Sequence, residues 1–436
     1  MSWVLLLTTS AALAAPTPDA ETAPTGAPIH LVDLIAEAEE LNEATGIAQQ
    51  RVRQAAAGVR RAVAGLLPNA ELTGVYANRD PTAQANPDAV FRAENAWNAQ
   101  LEVGMRIFDA SQIPEIGEAQ SERAATELDG DELVRTLRFE VAIAFYAVLV
   151  AEGALQAAQE RLVLALQTLE DISGRFEAGL ASRNDQRRTE LELASARLAL
   201  TRARNAVRQT RLQLGYLVGR PVTEPLVAEA EYVDVSELTM NDVLEMRPDV
   251  LAVEARIEAA ERAELEAWLR LVPTIDAGLQ VNASNETGFQ DSPFSRNVLL
   301  TATWPLYDGG IRYADARDSE ARARELSLER DQLVRRVDRD IEQARAQLDA
   351  ATEAVQEAEQ QVEVAELNYD EVRERFDHGL ATALEQADAA VQRFTAQVQL
   401  AEAQFAERQA TLRLLQALGL NSPVPRPDAD ADADAG

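Results

Sequence analysis

The sequence predicts a mainly α-helical fold that includes a small amount of membrane β-structure and is internally duplicated. The first observation is a heptad seam from Leu137 to Phe176, where apolar residues recur at alternating steps of four and three. This spacing is typical of helices that supercoil around each other left-handedly. The second observation is that the seam returns from Val337 to Phe376, which indicates two copies of one unit. The third is two-residue alternation in four short segments, the period of β-strands.

The composition of the chain argues against several classes of function. The chain has 436 residues and a formal net charge of −32, so a phosphate backbone is an unsuitable partner and nucleic-acid binding is not expected. It contains no cysteine and two histidines, His30 and His378. These counts predict no disulfide, no thiolate or histidine metal cluster and no cofactor. No catalytic triad or phosphate loop is found, so the chain is not expected to be an enzyme.

The duplication sets the expected domain organisation. Residues 1–14 read as a signal peptide, because a short apolar run precedes Ala12-Leu13-Ala14, although no Lys or Arg comes before that run. A disordered apolar terminus is the alternative. The first repeat then covers 15–219, a mixed segment covers 220–247, and the second repeat covers 248–419. Residues 420–436 form an alternating Asp-Ala tail for which disorder is expected.

Each repeat is predicted to pair one long helix with shorter ones. A helix of 63 residues spans roughly 95 Å at 1.5 Å per residue, and two shorter helices placed end to end match that length. The expected end-to-end pairs are the helix from Ala181 with the helix from Pro248, and the helix from Ala381 with the opening helix from Leu31. Side by side, such helices build the wall of a cylinder, while a solid coiled coil is the alternative that the seam alone leaves open. The predicted helices are Leu31–Leu66, Pro114–Phe176, Ala181–Gly219, Pro248–Leu271, Gly310–Phe376 and Ala381–Gly419.

A β-hairpin is predicted in each repeat, at 69–108 and 274–307. From Trp97 to Ile107 one face carries Trp, Ala, Leu, Val, Met and Ile, and the other carries Asn, Gln, Glu, Gly and Arg. Such a strand fits a membrane barrel with a wet interior, for which about 9–11 residues are needed. A soluble hairpin packed on a helix is the alternative. Polar loops from Arg79 to Glu94 and from Asn285 to Phe294 join the strands.

The strand count requires more than one chain. Four strands do not close a barrel, and an open edge in lipid leaves backbone groups unpaired at several kcal/mol each. The smallest bacterial barrels have about 8 strands and even numbers are the rule, so two or three chains both satisfy closure.

The order of these motifs resembles the TolC family of outer-membrane channels over about residues 30–420. The matching motifs are Leu67-Pro68 and Val272-Pro273 before the strands, Phe108-Asp109-Ala110 and Tyr307-Asp308-Gly309-Gly310 after them, Arg247-Pro248-Asp249, and the turns at Gly179 and Gly379. The resemblance implies a homotrimer in which 12 strands form a β-barrel in outer-membrane lipid, continued by an α-helical barrel through the periplasm. It also implies a periplasmic adaptor protein and an inner-membrane transporter as partners.

The resemblance also assigns candidate site residues near the two turns. In the family, the positions that match Glu385 and Asp388 ring the closed periplasmic aperture, and the position of Asp185 helps to hold it shut. A basic residue that pairs with the Asp185 position often stands where this chain has Ala381. Arg183, Arg187 or Arg188 would have to supply that positive charge here. The alternative is that these residues are ordinary surface charges. Adaptor docking is expected at Arg175, Phe176, Gly179, Leu180, Arg375, Phe376, Gly379 and Leu380.

Three functions remain open from the sequence. The main hypothesis is a passive outer-membrane duct of a tripartite system that exports small molecules such as drugs, toxic compounds or metal ions. The second is the same duct in type I protein secretion. The third, from another class, is a periplasmic structural coiled coil without a pore, which the strand alternation argues against.

Overall fold

A computed structural model describes residues 26–79, 94–227, 238–286 and 292–423. The expected signal peptide, most of the first hairpin loop, the centre of the second loop and the acidic tail from residue 424 lie outside these ranges. The elements in chain order are β1 Ile29–His30, α1 Leu31–Leu41, α2 Glu43–Ala64, β2 Asn69–Asn78, β3 Asn95–Phe108, α3 Gln112–Glu177, α4 Arg183–Val218, β4 Leu226–Val227, α5 Met240–Met246, α6 Pro248–Leu269, β5 Thr274–Ser284, β6 Phe294–Thr303, α7 Ile311–Asp377 and α8 Ala383–Ala417.

The two long helices organise the chain. Helices α3 and α7 have 66 and 67 residues and are therefore about 100 Å long. Residues of the predicted seams are buried, among them Val141, Val148 and Ala158 in α3 and Val337, Ala358 and Tyr369 in α7. The heptad spacing therefore identified the contact faces of both helices, which pack along α4 and α8 respectively.

Short helices complete a layer of four at each height. In the half of the molecule that contains Gly179 and Gly379, the lateral order is α7, α8, α3, α4. In the other half the order is α7, α6, α3, α2. Two short helices thus lie end to end beside each long one, as the lengths predicted. The predicted partners are wrong, however, because α2 continues the line of α4 and α6 continues the line of α8. The chain forms a wall segment whose edges are α7 on one side and α2 and α4 on the other.

The structure divides the helix predicted over 31–66 into α1 and α2. The break lies at Asn42, whose side-chain amide donates to the carbonyl of Leu217 over 2.7 Å, at the end of α4. Its Oδ1 atom accepts from the backbone N–H of Ala44 and so caps α2. An equivalent break at Arg247 separates α5 from α6, and the Arg247 guanidinium donates to the carbonyl of Ala417 near the end of α8. A short helix, α1 or α5, therefore precedes the break in each half of the chain, and the sequence pattern did not reveal either of them.

The four long strands form one antiparallel sheet in the order β2-β3-β5-β6. The register places Leu101 opposite Leu72 and Val281, and Glu102 opposite Glu71 and Gln280. Because side chains alternate across a pleated strand, this register keeps one apolar and one polar face across the sheet. The apolar face predicted for Trp97 to Ile107 continues through both hairpins, except that Arg296 near the start of β6 lies opposite Val281 on this face.

Strand β6 is shorter than predicted. The alternation continues through Trp304 and Leu306, but the strand ends at Thr303. Pro305 follows two residues later and has no N–H for the ladder, and the indole N–H of Trp304 donates to the carbonyl of Leu271 instead. The alternation of apolar and polar side chains therefore continues beyond Thr303, the last residue of the strand.

The main hydrophobic core lies where α1, α3, α4 and α8 meet, and it includes Phe139, Phe145, Leu214 and Leu34. Of the described helices, α3 is long and apolar enough, by length and composition, to cross a membrane. Its segment from Leu137 to Val148 belongs to this core. Packing against neighbouring helices accounts for the apolar character of that segment.

Candidate functional site

The two turns at the end of the long helices have the same backbone geometry. Gly179 and Gly379 have φ angles of 74° and 73°, the left-handed region that glycine enters without a Cβ penalty. The N–H of Leu180 bonds to the carbonyl of Arg175, and the N–H of Gly179 to that of Phe176. This pair of bonds is a Schellman motif. The second turn repeats it with Leu380, Arg375, Gly379 and Phe376.

The helix that leaves each turn begins with a capping box. Ser182 and Asp185 cap α4 reciprocally, and Thr382 and Glu385 cap α8 in the same way. The Glu385 carboxylate accepts from the N–H of Thr382 over 2.7 Å and from its hydroxyl over 3.0 Å. Two of the three candidate gate carboxylates are thus held at fixed positions at the tip of the molecule.

These hydrogen bonds favour the charged forms of both carboxylates. Those from the hydroxyl and N–H of Ser182 lower the pKa of Asp185 below its ordinary 3.8. Those from the N–H and hydroxyl of Thr382 lower the pKa of Glu385 below 4.5, with a smaller contribution from the charge of Arg375. A lowered folded-state pKa stabilises the fold above the unfolded value, and that stabilisation is lost as pH falls through the folded value. Both caps therefore weaken only in acid, and both residues are anionic at neutral pH.

Removing the cap hydroxyl tests this geometry. In Thr382→Ala we expect the first turn of α8 to lose about 1 kcal/mol of local stability, which corresponds to roughly fivefold faster amide exchange. Hydrogen exchange with mass spectrometry over residues 382–388 measures this. Thr382→Ser keeps the hydroxyl and should exchange at the wild-type rate. Equal acceleration in both variants would contradict the capping role.

Asp388 and Ala381 occupy different surroundings from Glu385. Asp388 lies one turn further along α8 and is exposed. Ala381, where the family often has a basic residue, packs with Ala181 against a cluster formed by Ile172 and Phe376. A methyl group thus replaces a charge at this point of the tip. Of the arginines considered as replacements, Arg188 lowers the pKa of Asp185 through its charge.

The two tip phenylalanines are not equivalent. Phe376 is 4% exposed and lies under the guanidinium of Arg175, 4.5 Å from the ring centroid. Phe176 is 36% exposed. Leu180 and Leu380 at the turns are 80% and 72% exposed. The end of the molecule therefore presents three large apolar side chains to its surroundings, which is typical of a contact surface.

A polar contact just above the tip was not anticipated from the sequence. Arg161 of α3 pairs with Glu192 of α4 at 2.8 Å and stacks on the Phe394 ring of α8 at 4.8 Å. Beside them lies a cavity of about 30 Å³, also lined by Gln386. This contact joins the second repeat to the first near Glu385. The residues are scattered across three helices, so no local spacing reveals it.

Within the described ranges, no group of three or more His, Cys, Asp or Glu side chains is placed to hold a metal ion. The arrangement consists of a helical wall, a two-faced sheet at one end and paired turns with fixed carboxylates at the other. A family model described as outer membrane efflux protein matches residues 34–220 and 239–420. The chain belongs to the outer membrane efflux protein family.

Individual relatives agree with this assignment. The pyoverdine export outer membrane protein OpmQ of Pseudomonas putida is 26% identical over 395 residues, covering 85% of this chain and 82% of the relative. The outer membrane protein TolC of Vibrio cholerae is 23% identical over 369 residues, covering 81% and 82%. The open state of the MtrE outer membrane channel of Neisseria gonorrhoeae aligns with a TM-score of 0.76 at 20% identity, covering 91% of this chain and 90% of that one.

The predicted resemblance to the TolC family and the predicted fold class are thereby confirmed. As an outer membrane efflux protein, the chain is located in the outer membrane, and its helices extend into the periplasm as a tunnel. The four-stranded sheet is the membrane part, and the turns at Gly179 and Gly379 are the far periplasmic end.

Proposed function

We propose that three copies of this chain form a passive duct that carries small molecules from a periplasmic adaptor and an inner-membrane transporter to the exterior. The observation that carries the proposal is the sheet. Its outer strands β2 and β6 have no further strand beside them in the described part of the chain, and nearly all of their residues are exposed. Three copies supply 12 strands, pair every edge and enclose the polar face as a wet lumen.

Small-molecule cargo is favoured over polypeptide cargo by the relatives. OpmQ is named for the export of pyoverdine, a small molecule, and it covers most of this chain. Type I protein secretion remains the second candidate, because a duct of this kind does not itself select between the two. The non-channel coiled coil is set aside, because the chain belongs to a family of outer-membrane efflux proteins.

We assign the periplasmic gate to Glu385 and Asp388, with Asp185 at the adjoining turn. In a trimer the first two residues contribute six carboxylates around one constriction. A narrow opening with low-dielectric walls concentrates their field, which attracts cations and repels anions. The lowered pKa of Glu385 supports a charge that persists at neutral pH. Opening would require the two helix pairs at the tip to change their packing.

We assign adaptor docking to the turns at 175–180 and 375–380. Leu180 and Leu380 are the most prominent apolar side chains at this end, and each projects from a rigid Schellman turn. Apolar side chains on a rigid element bind a partner at little cost in conformational entropy. Phe176 adds to this surface, whereas Phe376 stays inside the tip.

Replacing Leu180 and Leu380 with charged residues tests the docking assignment. In Leu180→Glu combined with Leu380→Glu we expect export to fall at least tenfold, because burying two carboxylates per chain at an apolar contact is unfavourable. Drug accumulation in cells and adaptor co-purification measure the effect. Leu180→Met with Leu380→Met should export normally, and single-channel conductance should be unchanged in both. Normal export by the glutamate variant would remove the assignment.

The function itself is tested with the unmodified protein. We expect detergent-purified material to have the mass of a trimer and to conduct ions in planar bilayers. We also expect crosslinking in cells to capture an adaptor and an inner-membrane transporter, and the class of that transporter separates small-molecule export from protein secretion. A water-soluble monomer without conductance would refute the duct.

A further inference from the structure

Two helix faces remain uncovered at the edges of the wall segment. In the periplasmic half, α4 packs mainly on α3, and α7 packs mainly on α8. The opposite faces of α4 and α7 therefore point along the wall, away from the rest of the chain. If the wall closes into a ring of identical copies, as the proposed function requires, these two faces must meet.

The uncovered face of α4 has a heptad stripe of its own. Leu193, Ala196 and Leu200 are buried on the α3 side, while Leu191, Leu198 and Leu212 are exposed and follow one another at multiples of seven. Positively charged side chains surround this stripe. Helix α4 contains eight arginines and three carboxylates, in a chain whose net charge is −32.

The uncovered face of α7 has the opposite charge. Residues 346–372 contain eight carboxylates and no Lys or Arg. Opposite the seam residues Val355, Ala358 and Tyr369, the exposed positions include Asp349, Glu353, Glu363, Leu367 and Glu371. Leu367 is 64% exposed and stands within this acidic face.

Neither set of charges is neutralised by ion pairs inside the chain. Among the described residues, the α4 arginines at 187, 188, 197, 202, 204 and 208 form no ion pair, whereas Arg211 pairs with Glu152 of α3. The eight α7 carboxylates from Asp349 to Glu371 also form none. Apart from Arg188, whose charge also acts on Asp185, both faces therefore keep their charge for a partner.

The two faces also match in height. Leu191 lies twelve residues after Gly179, and Leu367 lies twelve residues before Gly379. Arg187 and Glu371 lie eight residues from the same two glycines. The two turns are side by side, since Ile172 of α3 contacts Phe376 of α7, and the rise per residue is the same in both helices. Leu191 and Leu367 therefore stand at one height along the wall, and Arg187 and Glu371 stand at another.

We propose that α4 of one copy packs antiparallel against α7 of the next, with Leu191 against Leu367 and Arg187 against Glu371. This inference rests on the proposed trimeric duct. The single ion pairs are individually weak, but the opposite signs of the two edges determine which edges meet. Two α4 edges repel each other, as do two α7 edges, so copies join head to tail and close into a ring.

Cysteine crosslinking tests the register without background, because the chain contains no cysteine. We expect Leu191→Cys with Leu367→Cys to give covalent trimers under mild oxidation on a non-reducing denaturing gel, since a disulfide needs Cα atoms about 4.4–6.8 Å apart. Leu198→Cys with Leu367→Cys is the matched control. Its cysteines are displaced by seven residues, roughly 10 Å, and it should remain uncrosslinked.

A charge exchange provides a second test that does not depend on disulfide formation. At low ionic strength we expect Arg187→Glu to reduce the trimer fraction severalfold, and Arg187→Glu with Glu371→Arg to restore it. If the protein is a trimer by mass but only the control cysteine pair crosslinks, this pairing is wrong while the duct stands. The same conclusion follows if the double charge exchange fails to restore the trimer fraction. A wild-type protein that is monomeric by mass overturns the duct itself.

Discussion

Arginine at Leu300 is expected to prevent assembly of the barrel in the outer membrane. Leu300 lies in the middle of β6, opposite Ala277 on the apolar face, and is 73% exposed in the single chain. Arginine on the lipid side of a barrel costs about 2–4 kcal/mol near the bilayer midplane, and a trimer carries three copies. We expect the amount of heat-resistant trimer in outer-membrane fractions to fall at least tenfold.

Its neighbour Thr301 supplies the matched control. Thr301 is opposite Asp276 on the polar face of the sheet, where water accommodates a charge. Thr301→Arg should therefore assemble at wild-type levels and change only ion conduction. If both variants assembled equally, or if Thr301→Arg alone failed, the assignment of the two faces would be wrong.

Neutralising the proposed gate is expected to reduce the cation selectivity of the channel. Glu385→Gln with Asp388→Asn removes six negative charges from the trimer, while glutamine keeps the reach needed for the capping box with Thr382. Under a salt gradient, we expect the cation-selective reversal potential to fall by about half or more. Planar-bilayer recordings measure it at pH 7, where the lowered pKa of Glu385 keeps the wild type charged.

The control removes one negative charge per chain, half as many as the double variant, from the same helix at another height. Glu402 is exposed on α8, seventeen residues or roughly 26 Å beyond Glu385, and Glu402→Gln should leave the reversal potential nearly unchanged. A shift in Glu402→Gln of about half the size seen in the double variant would show that total charge, rather than a ring at the tip, sets selectivity.

Periodicity in the sequence predicted the large features of this fold because each has many repeats of its pattern. The long helices expected at 114–176 and 310–376 are observed as Gln112–Glu177 and Ile311–Asp377. The first hairpin is found within its predicted bounds, since alternation over ten or more residues defines both strand and face. Family membership then supports the trimeric barrel that strand parity left undecided.

The features that the sequence did not predict depend on single contacts between distant residues. The break at Asn42 depends on a hydrogen bond to Leu217, 175 positions away in the chain. Strands β1 and β4 have two residues each, too few to show a period. One local signal was available: Ser182 with Asp185, and Thr382 with Glu385, fit the spacing of a capping box. The resemblance to the TolC family assigns Asp185 and Glu385 only as charges at an aperture.

The different burial of Phe176 and Phe376 has a consequence for whatever grips the periplasmic end. A ring of three chains would offer six hairpins, alternating between one with an outward aromatic ring and one whose ring is tucked beneath a guanidinium. Six identical partner subunits would therefore contact two kinds of surface in alternation. A partner that binds all six hairpins equally well must either tolerate both surfaces or use two different binding modes.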